Sequence, residues 1–371
     1  MISSGQLFTS SQSRQLTLFH TLIVRQMETI EQASLDTQPV LSTPAPITPL
    51  LNTRICDLGL KIEGSPVEVL VQRLYRELEQ KKIMKFRPAC YLTDEWGCPS
   101  GEPVIGIPFY LARPDLAQIE KENNDLEDNR EIMKYLRHEA GHAFNYAYKL
   151  HRTSEWKQLF GPYRRPYREN YRPVLFSKDY VRYLPGWYAQ KHPDEDFAET
   201  FAVWMTPRSG WRKKYRGWGA MAKLRYMEKI AREVGNVDPL RKRGSPDITV
   251  AEMEMTVGEF YRHTTEQVSL PDVNLDSDLT AIFNASKRQK TSEPAGAFLR
   301  KNRKALVDYI AAWTAMQRPM VRKLMEAVER RSTELDLKID RRKEPEYLSE
   351  FTVFVTTLVM NHLARSRSFQ A

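Results

Sequence analysis

The stretch KYLRHEAGHAFNYAYKL, from Lys134 to Leu150, carries two histidines one helical turn apart. His138 and His142 fall in the pattern His-Glu-x-x-His, in a chain that holds only seven histidines among 371 residues. Residues four apart on an α-helix lie on one face, so both imidazoles can reach a single ion. Glu139 would then lie at the edge of the same site, where it can accept a proton from water. The stretch predicts a helix that supplies two metal ligands and a general base.

A zinc enzyme needs a third protein ligand, and the sequence has to supply it elsewhere. The extended pattern with a third histidine six residues after the second is excluded, because Tyr148 occupies that position. The acidic segment PDEDFAETF, residues 193–201, is the other candidate, and it places Glu195 and Glu199 one helical turn apart. One of these carboxylates can bind the metal while the other accepts the N–H of a ligand histidine.

The acids of this segment differ in their expected roles. Asp194 and Asp196 fall in the first turn, where the helix dipole favours negative charge, and we interpret them as dipole-compensating residues. Glu199 lies past the first turn among apolar residues. A carboxylate in an apolar setting needs a partner, which favours a role for Glu199 at the metal site.

Three segments in this order resemble a bacterial family of zinc-binding metallopeptidases with the gluzincin arrangement. They are LTDEWGCPSGEPVIGIPFYLARP, YLRHEAGH and HPDEDFAETFAVW, and the likeness covers roughly residues 85 to 235. The resemblance implies a hydrolase that cleaves peptide bonds in a peptide or protein substrate. The last 120 or so residues do not match the family, so it implies no partner for them.

The resemblance also assigns roles to individual residues. It implies that His138, His142 and Glu195 bind one Zn²⁺ per chain, and that Glu199 hydrogen-bonds a ligand histidine. Zinc lowers the pKa of a bound water from 15.7 toward ~7.

The same resemblance implies two catalytic residues. Glu139 would take the proton of the attacking water and pass it to the leaving amine. Tyr188, seven residues before the third ligand, would stabilise the oxyanion, with Tyr183 as the alternative for that role.

We expect an α+β fold in three parts. Residues 1–52 are rich in Ser, Thr, Gln and Pro and are predicted to be a disordered tail. A zincin-like metallopeptidase domain, with a small sheet and the active-site helix, is predicted at 53–240, and a mainly α-helical region of unknown role at 241–371.

The sheet is expected from two strands joined by a Gly/Pro turn around Gly97 to Pro103. The second strand contains Pro108, which has no N–H and so belongs at an edge or a bulge. The zincin resemblance implies that this strand offers an unpaired edge along which a peptide substrate lies.

The composition limits the possible cellular location and binding partners of the chain. Three cysteines, an odd and low number, favour a reducing cytoplasmic location over a disulfide framework. No segment approaches the ~18–20 continuous apolar residues of a membrane span. The net charge of +9 is modest for a chain of this length. The sequence does not determine the oligomeric state.

Two other functions are consistent with the sequence. The chain could be a non-catalytic zinc-binding scaffold that acts through its basic helical C-terminal region, although Glu139 has no purpose in a purely structural site. It could also bind nucleic acid through GPYRRPYRENYRP, residues 161–173, where tyrosine and arginine alternate. No nucleic-acid-binding motif accompanies that loop, which is equally consistent with packing over the zinc domain.

Overall fold

The computed structural model describes residues 47–123, 126–167, 171, 173–266, 275–283, 291–314, 316 and 318–368. Residues 1–46, most of the predicted tail, lie outside the described residues. The end of that tail is assigned wrongly, because Ile47–Leu51 form a helix and Leu50 and Leu51 pack against the hydrophobic core. Ile47–Ala371 form one compact unit.

The described part of the chain is mostly helical, with two small two-stranded sheets, which agrees with an α+β class. The helices are α1 (Ile47–Leu51), α2 (Glu68–Gln80), α3 (Pro114–Asn123), α4 (Asn129–Tyr148), α5 (Ser154–Phe160), α6 (Pro193–Met205), α7 (Trp211–Lys214), α8 (Ala220–Val234), α9 (Val257–Glu266), α10 (Asp276–Ile282), α11 (Ala295–Thr314), α12 (Arg318–Glu334) and α13 (Glu344–Ser368). The strands are β1 (Ala89–Thr93), β2 (Val104–Pro108), β3 (Ser292–Pro294) and β4 (Lys338–Asp340).

The first sheet differs from the expected pair of strands joined by a turn. β1 and β2 run parallel, with Ala89 opposite Val104 and Thr93 opposite Pro108. Because parallel strands cannot be joined by a tight turn, residues 94–103 return the chain to the start of the sheet. Pro108 is the last residue of β2, where its missing N–H disrupts little of the ladder.

The expected open edge of β2 is a second correction. The Gly106 N–H donates to the Gly97 carbonyl at 2.7 Å, and the Gly97 N–H donates back to Gly106 at 3.3 Å. All five residues of β2 are buried. A peptide substrate therefore cannot pair with β2 at Gly106 without displacing the chain at Gly97.

Helices α4 and α6 cross closely, and this crossing positions the site. Asp128 caps α4 by accepting the N–H groups of Arg130 and Glu131 at 2.7 and 2.9 Å, as a helix N-cap requires. Both helices are buried around their crossing. A Cβ atom on Gly141 of α4 would lie 2.8 Å from the Ala198 Cα of α6, so the absence of a side chain permits the close approach.

The boundary between the two regions lies later than residue 240. Val257 and Tyr261 belong to the first hydrophobic core, which contains the α4–α6 crossing. The physical reason is main-chain pairing, since Ile55 donates its N–H to Met255 and Val257 donates to Thr53, both at 3.0 Å. Residues 250–261 are thereby tied to the start of the described chain rather than to the C-terminal helices.

A second hydrophobic core begins at Leu275 and extends to Val359. It is built from α10 to α13, together with the antiparallel pair β3–β4, and we call it the C-terminal helical region. Within the described residues, no helix combines the length and the apolar character needed to span a membrane. The three cysteines are unpaired.

Candidate metal centre

Two helices supply the donor atoms of a candidate metal centre. His138 Nε2 and His142 Nε2 on α4 lie 3.1 Å apart. Glu195 Oε2, in the first turn of α6, lies 3.0 Å from the former and 3.2 Å from the latter. All three side chains are buried, and they form a group that could hold a metal ion. The structure therefore brings together the three side chains that the sequence and the resemblance predict as ligands.

The spacing of these atoms fits a zinc ion. Tetrahedral zinc with bonds of ~2.0–2.1 Å holds its ligand atoms ~3.3–3.4 Å apart. The observed separations of 3.0, 3.1 and 3.2 Å are close to that value. Two imidazole lone pairs and a carboxylate oxygen repel one another at such distances unless a proton or a cation lies between them. Two imidazoles and a carboxylate are also a donor set of catalytic zinc sites.

The other nitrogen of each imidazole faces a second carboxylate. His138 Nδ1 lies 3.0 Å from Glu199 Oε1, and His142 Nδ1 lies 3.0 Å from Asp194 Oδ2. A carboxylate at Nδ1 favours the tautomer protonated there, which leaves the Nε2 lone pair available for a metal. Burial lowers the pKa of His138, but Glu195 and Glu199 outweigh it and raise that pKa to about 9. The pocket therefore stabilises positive charge.

Glu199 is held from its other side by main-chain donors. Its side chain is fully buried, and its Oε2 accepts the N–H groups of Leu184 at 3.0 Å and Tyr183 at 3.2 Å. Hydrogen bonds of this kind stabilise a buried carboxylate. They also fix residues 183 and 184, which lead into the turn that carries Tyr188.

Asp194 lies in the first turn of α6, as expected, but it also contacts a histidine of the candidate metal centre. Its buried Oδ1 accepts the Asn145 amide at 2.7 Å, and its Oδ2 accepts the Tyr146 hydroxyl and faces His142. Burial raises the pKa of Asp194, but His142 and the hydrogen bond from the Tyr146 hydroxyl outweigh burial and lower that pKa. Asp194 thus orients the imidazole of His142, just as Glu199 orients the imidazole of His138.

Asp196 is also buried and bound rather than solvated at the helix end. Lys223 Nζ of α8 donates to Asp196 Oδ2 at 2.6 Å and to the Asp179 carbonyl at 2.7 Å. Because both charged groups are buried, each requires the other. This pair fastens α6 to α8 and to the loop before the metal centre, a structural role.

Glu139 lies next to the first imidazole and is nearly buried, with 7% of its surface exposed. Its carboxylate has no hydrogen-bond or ion-pair partner within the described portion of the chain. Burial raises the pKa of this carboxyl above its ordinary value, and the positive charge on His138 and His142 opposes that shift. A carboxylate with unused acceptor capacity next to a metal-binding histidine can accept a proton from water.

Two tyrosine hydroxyls approach the centre on the side of Glu195. The ring of Tyr188 lies with its centroid 5.6 Å from that of His138, edge to face. Tyr167 donates its hydroxyl to Glu195 Oε1 at 2.7 Å, and the same hydroxyl lies 3.4 Å from that of Tyr188. Tyr167 thus occupies the carboxylate oxygen of Glu195 that points away from the imidazoles.

Tyr183, the alternative to Tyr188, has its hydroxyl directed elsewhere. Arg137 Nη1 donates to it at 3.4 Å and Thr206 Oγ1 donates to it at 3.3 Å. Arg137 is itself paired with Glu77 in a buried ion pair at 2.7 Å. The structure thus leaves Tyr188, and not Tyr183, with a hydroxyl near the metal centre.

Asp194 and Tyr167 are the site residues that the sequence did not identify. The sequence offers a signal for Asp194, because this residue directly precedes Glu195 in the segment PDEDFAETF. Tyr167 had none, because it lies 28 residues before its partner Glu195 in an irregular loop. His192 holds that loop in place, with its Nε2 2.8 Å from the Arg165 carbonyl and its Nδ1 accepting the Asp194 N–H at 3.2 Å.

The three tyrosines of the Tyr/Arg-rich loop at 161–173 contact neighbouring parts of the protein. Tyr163 lies with its ring centroid 4.4 Å from that of His151, and Tyr171 donates its hydroxyl to the Gly186 carbonyl at 2.5 Å. Together with Tyr167, every tyrosine of this loop contacts protein groups. These three tyrosines thus contact neighbouring protein groups, as the packing interpretation of the loop predicts.

A helix bearing His-Glu-x-x-His and a second helix bearing a glutamate donor together form a candidate metal site with two histidines and one carboxylate. The model of a family described as "Putative zinc-binding metallo-peptidase" matches residues 103–214, which are 112 of the 371 residues. The matched segment includes β2, α4 and α6, and with them His138, His142 and Glu195. Neither the curated proteins nor the solved structures contain a significant match to the chain.

Proposed function

We propose that this chain is a zinc-dependent metallopeptidase that hydrolyses peptide bonds in a peptide or protein substrate. The observation that carries the proposal is the convergence of His138 Nε2, His142 Nε2 and Glu195 Oε2 within 3.2 Å of one another. The buried Glu139 carboxylate, next to His138 in the chain, has no hydrogen-bond partner among the residues that the structure describes. We further propose one zinc ion per chain. The three free thiols favour a cytoplasmic location.

Each residue of the centre has a defined task in this proposal. A bound zinc ion would polarise the substrate carbonyl and increase the acidity of water. Glu139 accepts the proton of the attacking water, because its carboxylate is electrostatically coupled to both histidines and has no hydrogen-bond partner in the described part of the chain. It then donates that proton to the leaving amine. Glu199 and Asp194 keep the imidazoles oriented throughout.

Tyr188 stabilises the negative charge that develops on the carbonyl oxygen. Its ring packs against His138, and its hydroxyl lies 3.4 Å from that of Tyr167, at the exposed side of the centre. Removal of one such donor typically lowers the rate ~10²–10³-fold. The hydroxyl of Tyr183 cannot take this role without leaving Arg137 and Thr206.

The test combines zinc quantitation with a peptide-library cleavage screen on purified full-length protein. Wild type should contain about one zinc per chain and cleave a subset of peptides, and His138→Ala should lose both properties. Glu139→Gln should retain zinc and lose turnover. Glu155→Gln is the matched control, since Glu155 is half-exposed and pairs with Lys229 on the surface.

Three results would each contradict a part of the proposal. A wild-type protein that contains no zinc would contradict the proposed metal site. Zinc in wild type and in Glu139→Gln, with no cleavage by either, would instead favour the zinc-binding scaffold. Undiminished turnover by Glu139→Gln would exclude Glu139 as the base.

A further inference from the structure

The C-terminal helical region touches the metal-site part of the chain at the turn that presents Tyr188. The side chain of Trp313, near the end of α11, packs with its ring centroid 6.3 Å from that of Trp187 and 5.7 Å from that of Phe176. Phe176 and Trp187 also contact each other, with centroids 5.6 Å apart at 72°. The three rings form an aromatic cluster, and Trp187 is the residue immediately before Tyr188.

Trp187 has a backbone conformation that needs support. Its φ angle is +61°, in the left-handed region that a bulky side chain rarely occupies. Such conformations persist where the surroundings hold them in place. The Trp187 ring is buried against the cluster, and the Arg182 guanidinium lies 4.1 Å from the centroid of its ring. The packing of this ring therefore determines the direction in which the chain enters the Tyr188 turn.

The segment that carries Phe176 also contacts the far end of the same turn. The Val174 N–H donates to Gln190 Oε1 at 2.8 Å, and Gln190 Nε2 donates back to the Val174 carbonyl at 3.0 Å. The turn Tyr188–Gln190 is thus held at its start by the aromatic cluster and at its end by this pair of hydrogen bonds. Trp313 is the member of the cluster contributed by the C-terminal helical region.

A second contact fixes α11 relative to the metal-binding helix. Lys304 Nζ of α11 lies 3.1 Å from Glu131 Oε2, and Arg318 Nη1 at the start of α12 lies 3.2 Å from Glu131 Oε1. Glu131 belongs to the capping box that begins α4, since its carboxylate accepts the Asp128 N–H at 2.9 Å. α11 therefore connects the beginning of the helix that carries both histidines with the turn that carries Tyr188.

We propose that Trp313 is a positioning residue for Tyr188, so that the C-terminal helical region forms part of the catalytic apparatus. Trp313 completes the packing that keeps Trp187 in its left-handed conformation. The contacts of Lys304 and Arg318 with Glu131 hold α11 against the start of α4. The inference rests on the proposed function only for the catalytic role of Tyr188. The structural part, that Trp313 holds the turn, is independent of it.

The exposure of Trp313 makes this inference testable. The residue is 47% exposed, so its removal opens one side of the cluster and leaves the second hydrophobic core intact. Trp313→Ala removes the ring, and Trp313→Phe keeps an aromatic group at the same place. Val353→Ala is the matched control, because Val353 lies on α13 of the same region and is 68% exposed.

The first measurement is amide hydrogen exchange of the full-length, zinc-loaded protein. Trp313→Ala should speed exchange of residues 186–191 by about three- to tenfold, as expected when an aromatic pair is lost. Zinc content should be unchanged, and exchange in α4 and α6 should stay as in wild type. Trp313→Phe should restore most of the protection. Exchange at 186–191 equal in Trp313→Ala, Val353→Ala and wild type would overturn the proposal.

The second measurement is a double-mutant cycle with Tyr188→Phe. Trp313→Ala should lower kcat about tenfold with little change in KM, because the lost interaction acts in the transition state. In the Tyr188→Phe background the same substitution should change kcat less than twofold. An undiminished effect there would show that Trp313 acts through another group. If wild type cleaves no peptide, the proposed function fails, whereas the exchange measurement still decides whether Trp313 holds the turn.

Discussion

Glu199 Oε1 lies 3.0 Å from His138 Nδ1, on the opposite side of the ring from the nitrogen that faces Glu195. One imidazole is thus held between two carboxylates that come from consecutive turns of α6. The ring nitrogen that points to the metal centre is paired with Glu195, and the nitrogen that points away is paired with Glu199. The structure thereby distinguishes two acids that their spacing alone treats as equivalent.

This division of roles leads to opposite outcomes for two alanine substitutions. Glu195→Ala removes one of three donor atoms, so the purified protein should not retain zinc through dialysis. Glu199→Ala leaves the three donors in place and should weaken zinc binding ~10–100-fold, as is typical for residues that orient a ligand histidine. Competition with a zinc-binding indicator measures both. If Glu199→Ala empties the site while Glu195→Ala retains zinc, the two roles are reversed.

Asp194→Asn should weaken zinc binding by a similar ~10–100-fold, because Asp194 orients His142. Asn145, Tyr146 and the His142 ring all direct donors at one carboxylate. An asparagine offers a single acceptor oxygen, so at least one of these donors would lose its partner.

Asp196→Asn serves as the comparison for Asp194→Asn. It disrupts the buried pair with Lys223 and should lower the free energy of unfolding by about 3–5 kcal/mol. It should leave zinc affinity close to that of wild type, since Asp196 contacts neither imidazole within the described structure. Equal losses of zinc affinity in both variants would mean that Asp194 acts through general stability.

Gly141→Ala should destabilise the protein and weaken zinc binding together. The added methyl group would lie 2.8 Å from Ala198 Cα and 3.1 Å from the Ala198 carbonyl, so α4 and α6 must separate. We expect a loss of about 1–3 kcal/mol in unfolding free energy, although alanine favours a helix by ~1 kcal/mol over glycine. Urea denaturation and zinc titration check the two effects. Gly97→Ala is the control, because a Cβ atom there meets nothing within 4 Å.

Tyr188→Phe should lower kcat ~10²–10³-fold while zinc content and KM change little. The phenyl ring keeps the packing against His138, so only the hydroxyl is lost. Tyr183→Phe should leave kcat within about threefold of wild type. It should lower stability only slightly, because Arg137 keeps its contacts with Glu77 and Thr206 keeps the Ala202 carbonyl as acceptor. Steady-state kinetics on a cleaved library peptide separates the two variants. A larger kcat loss in Tyr183→Phe than in Tyr188→Phe would transfer the role to Tyr183.

The sequence determined those features of the protein that depend on one helix at a time. The repeat of 3.6 residues per turn places His138 with His142, and Glu195 with Glu199, whatever the rest of the fold does. Capping residues fixed the starts of α4 and α6 in the same way, through Asp128 and through Pro193 at the first helical position.

The tertiary structure alone decided how these helices and strands meet. The α4–α6 crossing at Gly141 set which acid faces the metal centre, and it directed Asp194 toward His142. Tertiary packing also decided the parallel pairing of β1 with β2, the contact of Tyr167 with Glu195 and the contact of Trp313 with Trp187. The physical reason is that periodicity acts only within one helix or strand. Distances between segments far apart in the chain depend on how their side chains pack.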